Sequence, residues 1–242
     1  MPLEGENSVS QETNRIADQS PRKTARMAGL FYLIFILTTV LATYIRSKFI
    51  VSGDAVATAN NIVSSQGLFR VGFVTELVSA VFFVLAAWAL YVLLKPVNKN
   101  LALLFLLLNL GGVAVECLNA LNLFAALQFL SGANYLNAFQ TGQLQAMAMS
   151  SLNLYTSGFL IAQIFFSAWL LPLGYLVYKS RFLPKWLGLL LILDFFGNMS
   201  WFLQVFLLPD YKILAYPGNA ISFVAEISLT AWLLIMAVKK EK

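Results

Sequence analysis

Apolar and polar positions alternate along the chain in long blocks. A polar stretch at 1–26, rich in Gln, Asn and Ser with both signs of charge, precedes six apolar runs at 27–45, 68–94, 101–130, 151–178, 186–208 and 218–238. Each run is close to or longer than the ~20 residues that a helix needs to cross a hydrocarbon core. The pattern predicts an all-α fold, a polytopic membrane protein built as a bundle of six transmembrane helices over 27–238. Residues 1–26 are expected to form a disordered cytoplasmic tail, and 239–242 a short cytoplasmic C-terminus. The first apolar run begins too far along the chain for a signal peptide. The third and fourth runs are long enough to tilt or to project from the bilayer.

The connections differ in length. Two turns are tight and basic, Lys95-Pro-Val-Asn-Lys-Asn100 and Lys179-Ser-Arg-Phe-Leu-Pro-Lys185, and Pro184 suits the first turn of the fifth span. The other connections, 46–66 and 131–150, have room for short helices lying on the membrane surface. In the second of these, Thr141 to Met149 reads equally well as such a helix or as an outward extension of the fourth span.

Composition supports the membrane assignment. Hydrophobic residues make up 60% of the chain and charged residues 11%, whereas soluble domains are about a quarter charged. A chain of this size cannot bury so much apolar surface in a soluble core. The net charge of +5 does not point to nucleic acid, because the basic residues lie in short loops and form no continuous face. Of the 16 Lys and Arg, twelve fall on the side of the two tight turns and the termini, while Arg46, Lys48, Arg70 and Lys212 fall on the other. The richer side is expected to face the cytoplasm, with both termini there. Tyr44, Tyr91, Tyr178, Trp186 and Tyr211 stand at run ends, as interfacial anchors do.

There is no histidine and a single cysteine, Cys117, inside an apolar run. An intrachain disulfide is impossible, and Cys117 reads as a small packing residue. Without histidine, the usual zinc sites, general bases and catalytic triads are missing. No HExxH, CxxC, GxSxG or phosphate-loop motif is present. No cofactor, metal site or catalytic residue is expected. Asn198-Met-Ser200 fits a glycosylation pattern but lies within a span.

The candidate chemistry lies in four acids inside the apolar runs: Glu76, Glu116, Asp194 and Glu226. A charge in hydrocarbon is costly, so such groups should face the bundle interior or a watery cavity. Helical spacing supports this. Gly72, Ser79 and Ala80 share a face with Glu76. Asn109, Gly112 and Asn119 share one with Glu116, and Gly197, Asn198 and Trp201 one with Asp194. Asn219, Ser222 and Thr230 accompany Glu226, and the fourth span adds Thr156, Gln163 and Ser167. Small and polar stripes of this kind are how membrane helices pack together. The candidate interior polar site is therefore Glu76, Asn109, Glu116, Asn119, Gln163, Asp194, Asn198, Asn219 and Glu226. The first span offers only Tyr32, Thr38 and Thr39 and is expected to be peripheral. Arg70, six residues from Glu76, falls on another face and is expected to snorkel outward.

Four buried acids without four bases cannot all remain ionised. They must be protonated, hydrated, or bound to a cation or amine, which makes proton or cation coupling the sharp hypothesis; a protonated acid hydrogen-bonded to Asn or Ser is the structural one. Pro172, followed by Gly174, is expected to kink the fourth span, although broken helices also occur at transporter binding sites. Phe73-Val-Thr-Glu-Leu77 and Phe223-Val-Ala-Glu-Ile227 resemble one another, but so short a match does not establish a repeat.

Several segments together resemble a known family: Arg26-Met-Ala-Gly-Leu-Phe-Tyr-Leu33, Leu90-Tyr-Val-Leu-Leu-Lys-Pro-Val97, and Phe165-Phe166 leading to Leu173-Gly-Tyr-Leu-Val-Tyr-Lys-Ser180. Phe182-Leu-Pro184 with Leu187-Gly188, and Glu226 with Leu229 and Trp232-Leu-Leu234, add to them. The chain resembles the DUF4386 family over about residues 24–240, most specifically in the hairpin between the fourth and fifth spans. The resemblance implies a six-helix protein of the bacterial inner membrane and carries no activity with it. Three functions stay open. The first is small-solute binding or transport, with the interior carboxylates handling protons or a monovalent cation. The others are a non-catalytic sensor or assembly component whose acids are structural, and a membrane enzyme acting on lipid. The expected partners are the lipid bilayer and a small solute, proton or monovalent cation, with no nucleic acid.

Overall fold

The computed structural model of the chain describes residues 21–211, 213 and 216–238. The expected tail over 1–20, Lys212 and the terminal residues 239–242 lie outside the described residues. Among the described residues there are no strands, and the helices are α1 Pro21–Ser47, α2 Ala55–Ser64, α3 Gln66–Leu94, α4 Lys99–Asn119, α5 Leu121–Phe129, α6 Thr141–Ala168, α7 Leu170–Lys179, α8 Lys185–Leu207 and α9 Tyr216–Ile235. A 3-10 turn, Asn134–Ala138, precedes α6. Six segments are long and apolar enough to cross a membrane: α1, α3, α4 with α5, α6 with α7, α8, and α9.

The helices begin where local chemistry provides for it. Asp54 caps α2, its side chain accepting a hydrogen bond from the Ala57 N–H, and Asn98 caps α4 in the same way through Leu101. Gln140 and Gln143 form a reciprocal capping box at the start of α6. That box decides the segment from Thr141: it is an outward extension of the fourth span, not a separate surface helix. The expected short helix in 46–66 does form, as α2, and buries Thr58, Ala59 and Ile62. The first helix starts earlier than the apolar run, at Pro21, because proline suits a first helical position and good helix formers follow it.

Neighbouring spans run antiparallel, so that the two basic turns lie at one end of the bundle, here the basic end, and the segments 48–54, 130–140 and 208–211 at the far end. The expectation of a peripheral first span is corrected. Helix α1 packs along α3 and also against α9. Its Ala25, Ala28, Gly29 and Tyr32 are buried, and small residues let the backbones approach: a Cβ on Gly29 would lie 2.9 Å from the backbone nitrogen of Leu234.

The apolar interior falls into two clusters. One, toward the basic end, contains Phe83, Phe105, Trp169, Leu173, Leu187 and Leu229. The other, toward the far end, contains Ile45, Ile62, Phe69, Leu127, Leu152 and Tyr155. Between Phe69 and Phe83 on α3 lie Glu76 and Ser79, and between Val113 and Leu123 on the third span lie Glu116 and Asn119. Glu76, Ser79, Glu116 and Asn119 thus form a polar layer between the two apolar clusters.

Candidate functional site

Within that layer is a cavity of about 250 Å³ to which all six spans contribute. At ~30 Å³ per molecule, it has room for about eight waters. Helix α4 places Glu116 on its wall, α6 places Gln163, α8 places Asn198, and α9 places Asn219, Ser222 and Glu226. The remaining wall is mostly aromatic: Phe35 from α1, Phe83 from α3, Phe159 and Phe166 from α6, Trp169 at the α6–α7 junction and Trp201 from α8. Five of the nine candidate residues therefore share one cavity. Among the described residues, no lysine or arginine lines it. Among the described residues, neither Glu116 nor Glu226 has a hydrogen-bond or ion-pair partner. Asn219, near the start of α9, is exposed and marks the open side of the cavity.

Asp194 is fully buried behind this wall. Its Oδ1 accepts hydrogen bonds from the Asn198 amide, at 2.7 Å, and from the Ser222 hydroxyl, while the Asn198 amide also donates to Ser222 Oγ at 2.9 Å. The spacing of Asp194 and Asn198 by one helical turn makes the first bond possible, and the close contact of α8 with α9 the others. That contact depends on glycine: a Cβ on Gly197 would lie 2.8 Å from Gly218 Cα. Asp194 thus orients two side chains of the cavity wall without facing the cavity. Its Oδ2 has no partner.

Glu76 is in a different place. Nη1 of Arg46 donates to Glu76 Oε2 at 2.7 Å and to the Tyr155 hydroxyl at 3.1 Å, and that hydroxyl donates to Glu76 Oε1. The Arg46 guanidinium also lies over the Tyr155 ring, 4.7 Å from its centre. This cluster ties α1, α3 and α6 together toward the far end. The expectation that one interior site gathers all four acids is corrected here: Glu76 is withdrawn from it because a long arginine reaches inward from the end of α1. Arg70 is exposed, as expected.

The other two candidates also lie apart from the cavity. The Asn119 amide donates to the Tyr155 carbonyl at 2.7 Å, packing against Gly158 and joining α4 to α6. Asn109 is fully buried with no partner for its amide. Cys117, expected to pack inside, is exposed on the outer surface, since it sits one residue off the Glu116 face. Sequence reasoning missed Arg46 and Tyr155. Arg46 stands just beyond the first apolar run, where a basic group reads as an interfacial one, and Tyr155 stands a turn into the fourth run.

Residues 27–237 match the family described as "Domain of unknown function (DUF4386)". The chain belongs to the DUF4386 family. This DUF4386 protein is also 29% identical over 161 residues to an "Uncharacterized protein" of Archaeoglobus fulgidus, a match covering 64% of the chain and 77% of that relative. No solved structure matches it.

Proposed function

We propose that this DUF4386 protein binds, and moves across the membrane, a small solute held in the interior cavity, with Glu116 and Glu226 handling a proton or a monovalent cation. One observation carries the reading. Interior acids persist in membrane proteins where they are paired or serve a ligand pathway. The fold supplies partners for Glu76 and Asp194, namely Arg46, Tyr155, Asn198 and Ser222. Among the described residues it supplies none for Glu116 and Glu226, and those two share a cavity large enough for a solute. A bound proton, cation or solute would supply that partner.

The backbone is consistent with this use. The fourth span is locally irregular at Trp169, on the cavity wall and three residues before Pro172, and helix irregularities recur at transporter sites. The structural reading of buried acids fits Glu76 and Asp194, which act as packing and positioning groups. The excess of basic residues on one side of the spans supports a reading in which the protein lies in the cell membrane with the lipid bilayer as its solvent and both termini cytoplasmic.

Reconstitution into vesicles loaded with a pH-sensitive dye tests the reading. Addition of members of a panel of small amines, sugars, amino acids and carboxylic acids should produce a solute-dependent proton movement with the wild-type protein. Glu116→Gln and Glu226→Gln should each abolish it while the protein still elutes as a folded species. Unchanged movement in both variants ends the coupling proposal.

A further inference from the structure

We infer that the solute class taken by the cavity is a small organic cation, an ammonium group carried on an apolar body. The inference rests on the solute-binding reading above and deepens it. Three features of the wall select this class.

The first is charge. Glu116 and Glu226 both face the cavity, and among the described residues no lysine or arginine does. An anionic solute would meet like charge at the two carboxylates, so it is rejected. A cation provides what both groups lack.

The second is the aromatic surface. Phe35 and Phe83 stack face to face, with centroids 4.1 Å apart and planes within 8° of parallel. Phe83 also packs against Phe166 and Trp169, and Trp201 packs against Phe159. Ring faces attract ammonium groups through their quadrupoles, and aromatic cages are a recurrent means of holding alkylated ammonium ions. A bare metal cation needs a full shell of oxygen ligands instead, which walls made largely of rings do not provide.

The third is size. A cavity of about 250 Å³ exceeds the ~150 Å³ that suffices for benzene, and is far larger than a bare monovalent ion needs. It has room for one ring or a short alkyl chain together with the ammonium. The polar side of the wall suits such a group. The Asn198 amide nitrogen is committed to Asp194 and Ser222, so Asn198 presents its carbonyl oxygen as an acceptor beside the two carboxyls. Asp194 is a positioning residue in this arrangement.

The test is equilibrium binding to the full chain in lipid nanodiscs, read by calorimetry and by tryptophan fluorescence. The probes are benzylammonium and phenethylammonium, size-matched benzyl alcohol and phenethyl alcohol, and benzoate. The ammonium probes should bind saturably, the alcohols at least about tenfold more weakly, and benzoate not at all. Glu226→Gln and Glu116→Gln should each weaken ammonium binding at least about tenfold and alcohol binding by much less. Asp194→Asn keeps a side chain of the same shape and should weaken it less. Gln163→Trp, which fills the cavity, should abolish binding of every probe. Equal binding of alcohols and ammonium ions, or indifference to both Gln variants, overturns the cation class while leaving a solute cavity in place. Absence of ammonium binding to the wild type also overturns it. Binding that survives Gln163→Trp overturns both this inference and the function it rests on.

Discussion

Glu76 and Glu226 stand in nearly identical local sequence, Phe-Val-Thr-Glu-Leu against Phe-Val-Ala-Glu-Ile, yet the fold treats them differently. Glu76 meets Arg46 and Tyr155, while Glu226 meets a cavity. Spacing within each helix shows that both acids point inward, but says nothing about which side chain of another helix arrives opposite. Arg46 illustrates the gap. It follows the first apolar run directly, where the interfacial reading is natural, and only the packing of α1 on α3 turns it toward Glu76. The Arg46 and Glu76 side chains are 21% and 9% exposed, so the pair is largely withdrawn from water. Removing one member strands the other. Arg46→Met should lower stability by roughly 3 kcal/mol, seen as a fall in the melting temperature of the detergent-solubilised protein. Arg46→Met combined with Glu76→Gln should recover a substantial part of the loss, because neither charge is then left alone. Equal losses in the single and double variants would refute the pairing.

Among the elements, the hairpin between the fourth and fifth spans was the most legible part of the chain, and its packing shows why. Helices α7 and α8 approach closely where glycine faces glycine: a Cβ on Gly174 would lie 2.9 Å from the Gly188 carbonyl oxygen. Helices α8 and α9 repeat the device at Gly197 and Gly218. Membrane helices gain no hydrophobic drive from each other, so close backbone contact over small residues is a principal source of their association. Gly188→Val should therefore destabilise the bundle by about 1–3 kcal/mol, the usual cost of overpacking, whereas Gly142→Val, at an open position in the first turn of α6, should have little effect. Thermal unfolding of both variants checks this. Pro172 behaves as expected of a proline in a span. It has no N–H to offer the carbonyl of Ala168, and the helix is locally irregular there, at the junction of α6 and α7, while the span as a whole continues.

Across the whole molecule, the alternation of basic and neutral ends fixes a directional expectation. In a Cys117→Ser background, a cysteine replacing Lys99 at the basic end should react with an impermeant maleimide only after the inner face of the membrane is opened. One replacing Asn134 at the far end should react in intact cells. Both positions are exposed in the structure. The opposite labelling pattern would invert the proposed topology. The same scale reveals the two apolar clusters with a polar layer between them. Each helix shows its share of that layer as an inward stripe. How the stripes align in depth depends on the lengths of the loops, on the outward extension of α6 and on the position of α1, which sequence spacing placed at the edge.

The sequence alone determined the six spans, the ends that carry charge and the inward faces of the four acids. These follow from bilayer thickness, from the cost of unpaired charge and from the helical repeat, all of which act along one segment at a time. Tertiary structure alone decided which acids are paired, which share a cavity, and that aromatic rings close around it. Those outcomes depend on contacts between side chains far apart in the chain, such as Arg46 with Glu76 and Asp194 with Ser222. Such contacts are set by how helices dock over small residues, and no periodicity within a single helix encodes them.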